Sequence, residues 1–273
     1  MTVSAPGTID ALQASVASAA GPAGRMVVAF SGGIDSALLA RVARDVLGRS
    51  GSLAVTAVSA SLAPSELEHC RLFAETWDLR WQGVGTDELS RPEYVTNGID
   101  RCYHCKSELM DHLTPLADSE GAVVALGVNV DDLSDHRPGQ QAATERGAVF
   151  PLVEAGFSKA AVREAARKLG IESWDKPAGA CLASRVPYGT PVTLSTLNRV
   201  AAAEEGLRAL GFGQLRVRHY GDLARIELGE DEIADAVARR PAVVEALKAS
   251  GYRYVTLDLE GFRSGNLNEG LVR

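Results

Sequence analysis

The run Ser31-Gly32-Gly33-Ile34-Asp35-Ser36 puts two glycines, two hydroxyls and one carboxylate into six residues. Between a strand and a helix, such a run is a phosphate trap. Gly32 and Gly33 let the backbone approach an anion with no Cβ in the way, and the unpaired N–H groups of a first helical turn point at it. The hydroxyls of Ser31 and Ser36 can add bonds to phosphate oxygens. Asp35 repels phosphate, so its chemistry there is to act through Mg2+ brought with a nucleotide. A Ser/Gly turn that merely caps a helix is the plainer alternative, and the strand–loop–helix context speaks against it. Neither Gly-x-Gly-x-x-Gly nor Gly-x-x-x-x-Gly-Lys-Ser/Thr fits the run, so dinucleotide binding and Walker-type hydrolysis both lose support.

Four cysteines form the second chemical set. Cys102 and Cys105, in Arg101-Cys102-Tyr103-His104-Cys105-Lys106, stand just before an expected helix. A lone Cys-x-x-Cys reads as half a zinc site, a redox pair or two ordinary thiols. Cys181 stands in Ala180-Cys181-Leu182-Ala183-Ser184-Arg185, and Cys70 sits among Leu67, Phe73 and Ala74 as an inert core thiol. Three clustered cysteines leave a structural zinc one ligand short unless His104 or Cys70 joins. A cubane iron–sulfur cluster can accept three thiolates and leave one iron open, which suits the holding of a sulfide.

The remaining polar candidates stand at strand ends and on strand faces. Asn129, Asp131, Asp132, Asp135 and Arg137 follow an expected strand, where open α/β sheets place their sites, although Asp131-Asp132 alone reads equally well as a solvated loop. Lys106 can neutralise phosphate charge or simply start its helix. Arg216 and Arg218 alternate with Leu215 and Val217, which puts both guanidinium groups on one face; Arg225 and Glu227 alternate likewise. A paired arginine face suits a phosphate, and a solvated face with ion pairs is the competing reading.

The elements that must position these residues follow from periodicity. Arg25 to Phe30 is a short apolar run ending in the Ser-Gly-Gly turn, and Leu38, Leu39, Val42, Val46 and Leu47 then recur at helical spacing up to Gly48. Further strands are expected over 53–59, 80–84 and 122–126, with helices from Pro64, from about Lys106 to Ala117, and from Ser158 to Gly170. This alternation predicts a parallel sheet covered by helices on both faces. After Pro187-Tyr188-Gly189-Thr190-Pro191 the order becomes αββαβ: a helix from Thr193 to Gly211, strands at 215–219 and 224–228, helical segments around Pro241 and a strand at 252–259. The expected division is 1–188 for the α/β domain and 189–273 for a small α+β domain.

Composition sets outer limits. Apolar residues make up 46% and charged residues 23%, as in soluble globular chains. No apolar stretch approaches a bilayer span, and Thr8 to Ala20 reads as an N-terminal helix rather than a signal peptide, so a cytoplasmic protein with no membrane partner is expected. The net charge of −7 disfavours nucleic acid as a partner. Four thiols in a reducing compartment favour metal or catalytic roles over disulfides.

The Ser31–Ser36 run resembles the PP-loop of enzymes that split ATP between the α- and β-phosphates and adenylate a substrate oxygen. With Arg101–Lys106, Gly127-Val128-Asn129-Val130-Asp131-Asp132-Leu133-Ser134-Asp135-His136-Arg137-Pro138-Gly139, Cys181–Arg185, Pro187-Tyr188-Gly189 and Arg216-Val217-Arg218, the chain resembles, over nearly its whole length, the LarE family of ATP-dependent sulfur transferases. That resemblance implies an adenine-nucleotide-alpha-hydrolase-like fold. It implies ATP and Mg2+ as cofactors, with Ser31, Gly32, Gly33, Asp35, Ser36, Ser59, Gly127 and Asn129 around the nucleotide. It implies Cys181, Asp35 and Lys106 as catalytic residues. Arg185, Glu205, Arg216, Arg218 and Glu227 are implied at a mononucleotide substrate, pyridinium-3,5-biscarboxylic acid mononucleotide.

In the family the cysteine matching Cys181 supplies the sulfur. Some members sacrifice that sulfur; others carry cysteines matching Cys102 and Cys105 and hold a [4Fe-4S] cluster with all three. This chain has all three, which implies the cluster type, with sulfide or a sulfur carrier as a partner and a homo-oligomeric assembly. A tRNA-thiolating enzyme and a non-catalytic nucleotide or iron–sulfur sensor are the competing expectations.

Overall fold

The structure is a computed structural model, which describes residues 5–133, 138–172 and 181–263. In chain order, α1 (Ile9–Ala20) leads to β1 (Met26–Ala29), α2 (Ile34–Gly51), β2 (Ser52–Val58), α3 (Pro64–Thr76) and β3 (Trp81–Gly85). The short α4 (Pro92–Val95) precedes α5 (Arg101–Glu120), β4 (Val123–Leu126), α6 (Pro138–Glu145), α7 (Pro151–Glu154) and α8 (Lys159–Lys168). Then come α9 (Leu194–Ala209), β5 (Leu215–Tyr220), β6 (Leu223–Leu228), α10 (Ile233–Ala238), α11 (Arg240–Ala249) and β7 (Tyr254–Leu257).

The chain divides into two units. In the first, the strand order is β3-β2-β1-β4 and every pairing is parallel, with β1 between β2 and β4. A strand buried on both faces must be apolar throughout, as Met26-Val27-Val28-Ala29 is. Val28 packs into a core with Leu12, Val16, Leu38, Leu39 and Phe73 from α1, α2 and α3, while Val27 faces Leu109, Met110 and Leu113 of α5. Burying each such side chain contributes about 1.5–3 kcal/mol. Thr8 caps α1 by accepting the Ala11 N–H at 3.3 Å, and Ser158 caps α8 by accepting the Ala161 N–H at 3.2 Å. Gly48 breaks the helical path of α2 at φ 72°, and the chain runs on into β2.

In the second unit, β5 and β6 are antiparallel and joined through Gly221 at φ 64°, while β6 and β7 are parallel. Ala203 and Leu207 of α9, Val217, Ile226 and Leu247 of α11 fill its core.

Two expectations differ from the structure. The division does not fall at residue 188: Cys181 and the residues after it group with Leu89–Ile99. Asn97 explains this, because its buried side-chain amide donates to Pro187 O and Thr190 O, each at 2.8 Å, and Val192 donates to Val95 O at 2.9 Å. Helix α5 begins at Arg101 rather than near Lys106, so Cys102 and Cys105 lie within it, one turn apart. Packing by α6 accounts for the early start: Tyr103 donates to Glu145 at 2.6 Å, and a Cβ on Gly139 would sit 3.0 Å from Cys102 O. No helix among the described residues is long and apolar enough to cross a membrane.

Candidate active site

The Ser31–Ser36 loop joins the end of β1 to α2. Phe30, the last residue before it, donates its N–H to Val55 O at 2.8 Å and accepts from Thr56 Oγ1 at 2.8 Å, which anchors the loop's first stem. Gly32 then turns the chain at φ 72°, and a Cβ there would lie 2.8 Å from Cys70 Sγ. A side chain is therefore excluded both by conformation and by the buried thiol of α3. Ser36 is buried; its hydroxyl accepts the Ser31 N–H at 3.2 Å and donates to Gly33 O at 2.9 Å, so it closes the loop on itself. Ser31 is exposed.

Gly33 is the N-cap of α2 and supplies no capping side chain. Among the described residues, no acceptor is found for the N–H groups of Gly32, Ile34 and Ser36. An uncapped helix start with free N–H groups carries partial positive charge suited to an anion. Gly127, just past β4, presses on this turn: a Cβ there would stand 2.6 Å from Ser36 N and 2.8 Å from the Asp35 carbonyl carbon.

Asp35 Oδ1 accepts from Asn129 Nδ2 at 2.8 Å. Burial raises the Asp35 carboxyl above the usual range; the Asn129 hydrogen bond opposes this, and the neighbouring Asp132 charge adds to it. Of the two acids only Asp132 is buried; Asp131 is exposed. Asp132 is buried with Lys159 Nζ at 3.4 Å, and Asp131 accepts the Lys159 N–H at 2.7 Å. Ser59, one residue past β2, accepts the Ser61 N–H at 3.2 Å. Lys106 is half-buried in α5, with no ion pair among the described residues. Asp135 and Arg137 lie outside the described residues, as do Ser134, His136 and Ala180.

Cys70 is fully buried, as its apolar neighbours predict; Cys102 and Cys181 are exposed, and Cys105 is half-buried. Among the described residues no group of three or more His, Cys, Asp or Glu side chains is gathered for a metal. Cys102 and Cys105 belong to the first unit and Cys181 to the second.

In the second unit, Cys181 opens the single-turn helix Leu182–Arg185, and two buried arginines hold that turn. Arg185 donates to Cys181 O at 3.2 Å and to Ser184 Oγ at 3.0 Å, and forks onto Glu204 at 2.8 and 3.1 Å. Arg218 donates to Ser184 O at 2.8 Å and forks onto Glu227, both bonds at 2.9 Å. Glu204 also accepts the Val217 N–H at 3.1 Å, and Glu227 also receives Arg225 at 2.9 Å.

This differs from the expectation for two acids. Glu227 is fully buried with both oxygens on guanidinium groups. Glu205 is exposed, with Arg208 at 3.8 Å, and the buried acid of α9 is Glu204. The helical period carried that signal, because Leu197, Val200, Glu204 and Leu207 share the buried stripe and Glu205 falls off it.

Arg216 behaves otherwise. It is 7% exposed, yet no carboxylate pairs with it among the described residues; its guanidinium stacks on Phe262 at 4.5 Å. Desolvation, then the charges of Arg185 and Arg218, push it down to about 10. Among the described residues this cation is partly dehydrated without a carboxylate partner, which is costly in a protein interior.

A parallel sheet with an open anion cradle after its first strand, and a carboxylate held beside that cradle, defines an ATP-using enzyme of the PP-loop type. The NAD synthase family model matches residues 8–92. The chain is 42% identical over 250 residues to the pyridinium-3,5-bisthiocarboxylic acid mononucleotide synthase of Lactiplantibacillus plantarum, covering 91% of each chain. It is 48% identical over 252 residues to an uncharacterized Synechocystis protein (91% of this chain, 94% of that one) and 28% identical over 241 residues to one from Methanocaldococcus jannaschii (88% and 91%). The chain belongs to the LarE family of ATP-dependent sulfurtransferases.

Proposed function

We propose that this enzyme converts a carboxylate of pyridinium-3,5-biscarboxylic acid mononucleotide into a thiocarboxylate. The observation that carries the substrate assignment is the near full-length similarity to the Lactiplantibacillus synthase. A carboxylate oxygen attacks the α-phosphorus of ATP, the bond to the β-phosphate oxygen breaks, and pyrophosphate leaves. The product is an acyl-adenylate. A sulfur nucleophile then adds at the acyl carbon and AMP departs with the shared oxygen. Activation is needed because a carboxylate offers only oxide as a leaving group, whereas AMP leaves readily.

The uncapped start of α2 supports a pyrophosphate site, with Gly32 and Gly127 providing the close backbone approach. Mg2+ bound through Asp35 would neutralise charge on the phosphates. Lys106 is proposed to do the same from α5, and Arg216 to take the phosphate of the mononucleotide. The fixed turn bearing Cys181 supports that cysteine as the place where sulfur meets the adenylate.

A [4Fe-4S] cluster on Cys102, Cys105 and Cys181 is proposed from the cysteine count alone, and no step of the reaction is assigned to it. A homo-oligomer located in the cytoplasm completes the proposal. The test is pyrophosphate release that depends on the pyridinium substrate, with mass analysis of product and protein, and iron and acid-labile sulfide assay after anaerobic reconstitution. Absence of substrate-dependent pyrophosphate would sink the function. Dehydroalanine at Cys181, without iron, would replace the cluster by sacrifice of the cysteine.

A further inference from the structure

We infer that Asn129 is a positioning residue for Asp35: it holds one carboxylate oxygen so that the other is presented to the magnesium of the nucleotide, and it does not itself touch ATP. This rests on the reading of Asp35 as the residue that works through Mg2+, and it differs from the expectation that Asn129 contacts the nucleotide.

Asn129 is completely buried, two residues past Gly127. Its side-chain amide makes three hydrogen bonds among the described residues. Nδ2 donates to Asp35 Oδ1 at 2.8 Å, while Oδ1 accepts the N–H groups of Asp131 at 3.1 Å and Asp132 at 3.3 Å. Its own N–H donates to Asp132 Oδ2 at 3.3 Å. Because two backbone donors face Oδ1, the orientation of the amide is fixed by the network: the nitrogen must point at Asp35. Turning the side chain toward a ligand would take its acceptor from the Asp131 N–H, at about 1–3 kcal/mol, while the Asp132 N–H would keep Asn129 O at 3.2 Å.

The turn that holds Asn129 is itself braced. Asp131 accepts the Lys159 N–H at the start of α8, and Asp132 lies 3.4 Å from the Lys159 ammonium. Asp35 rides on the first turn of α2, so Asn129 ties that turn to the loop after β4. With Oδ1 of Asp35 taken by Asn129, and the residue's own N–H also donating to the carboxylate, no side chain among the described residues donates to Oδ2. Position 129 thus requires a group that donates on one side and accepts on the other. Aspartate meets only the second requirement and would set two carboxylates face to face; alanine meets neither.

The test uses the full chain with Asn129→Asp and Asn129→Ala. Magnesium binding to the ATP complex is measured by calorimetry, and ATP binding is measured separately in excess chelator. The expected result is a magnesium affinity weakened at least about tenfold in both variants, as when a residue behind a metal ligand is lost, with little change in chelator. A parallel loss of ATP affinity in chelator would make Asn129 a nucleotide contact and overturn the inference; unchanged magnesium affinity would also overturn it. Thermal unfolding without ligand checks the contact itself. Asn129→Asp should melt lower than the parent, and the double variant Asp35→Asn/Asn129→Asp should recover most of the loss, because the hydrogen bond is rebuilt with its direction reversed. Failure of the double variant to recover would refute the coupling. A parent protein that binds magnesium and ATP but releases no pyrophosphate with the pyridinium substrate would count against the function alone.

Discussion

Gly127→Ala is the sharpest single perturbation of the nucleotide loop. The added Cβ would stand 2.6 Å from Ser36 N, 2.8 Å from the Asp35 carbonyl carbon and 2.8 Å from Ser36 Cα. All three are backbone atoms of the first turn of α2, so no side-chain rotation can relieve the contact. Ordinary van der Waals approach begins near 3.4 Å, so the turn must retreat by roughly 0.8 Å, and overpacking of this kind costs about 1–3 kcal/mol. For a chain of this size that is a Tm lower by roughly 2–10 °C. The retreat also moves the N–H groups that face the phosphates, and a displacement approaching 1 Å can cost about 100-fold in rate. The matched control is Gly85→Ala at the end of β3, where a Cβ meets nothing within 4 Å and the change in stability should stay within about 0.5 kcal/mol. Thermal unfolding and substrate-dependent pyrophosphate release read the two effects. Parental stability and rate in Gly127→Ala would refute the claim that this glycine is required by close backbone approach.

Three further outcomes follow from the buried charges. Glu227→Gln should destabilise by about 3–5 kcal/mol in denaturant titrations, because it removes the charge that balances a buried Arg218, whereas Glu205→Gln should cost less than about 0.5 kcal/mol. Arg216→Met should weaken binding of the mononucleotide by about 10- to 100-fold in calorimetry while raising ligand-free stability at neutral pH, since the cation's pKa falls on folding and its burial is unfavourable at every pH below about 10. Asp35→Asn should abolish magnesium-dependent turnover yet stabilise the ligand-free protein at pH 7. The sign follows from linkage: a carboxyl whose pKa is raised on folding binds its proton more tightly in the native state, so stability falls as pH rises from the ordinary carboxylate value through the native one. Melting curves of the Asp35→Asn variant and its parent should therefore converge as pH drops below the ordinary carboxylate range; a constant gap would contradict the assignment.

The parallel sheet was legible because β1 and β2 are short apolar runs and α2 and α8 carry apolar residues at helical spacing between stop signals such as Gly170. The phosphate loop was legible for the same reason: glycines and hydroxyls at a strand–helix junction have few other uses. Three features were not. The start of α5 depends on α6 packing over Cys102, and local propensity carries no trace of that contact. The membership of Leu89–Ile99 in the second unit depends on one buried amide, Asn97, which reads in sequence as a loop residue. The arginine face of β5 was placed correctly as a face, but alternation cannot tell a solvated sheet from one covered on both sides. Here Leu215 and Val217 are buried, and so are Arg216 and Arg218.

Burial of both faces is what separates the structural arginines from the functional candidate. Arg185 and Arg218 meet carboxylates through paired bonds and also hold carbonyls of the Cys181 turn, so their charges are balanced within the protein. Arg216, two residues before Arg218 on the same strand face, has an aromatic ring and, among the described residues, no carboxylate partner. Folding alone gives no reason to keep an unbalanced guanidinium there, since an apolar side chain of similar volume would be more favourable. Asp35 presents a related pattern with the opposite sign: a partly buried carboxylate beside a second acid, hydrogen-bonded by an amide and only partly offset by the Lys159 charge. Each charge lacks what its proposed ligand would supply, an anion in one unit and a cation in the other. Each ligand should therefore stabilise the protein in proportion to its affinity. At 100 times the parent's Kd the gain is about 2.7 kcal/mol for one site, and at that same ligand concentration it should shrink in Arg216→Met for the mononucleotide and in Asp35→Asn for magnesium with ATP. A ligand-induced shift in Tm that survives both substitutions undiminished would place the binding elsewhere.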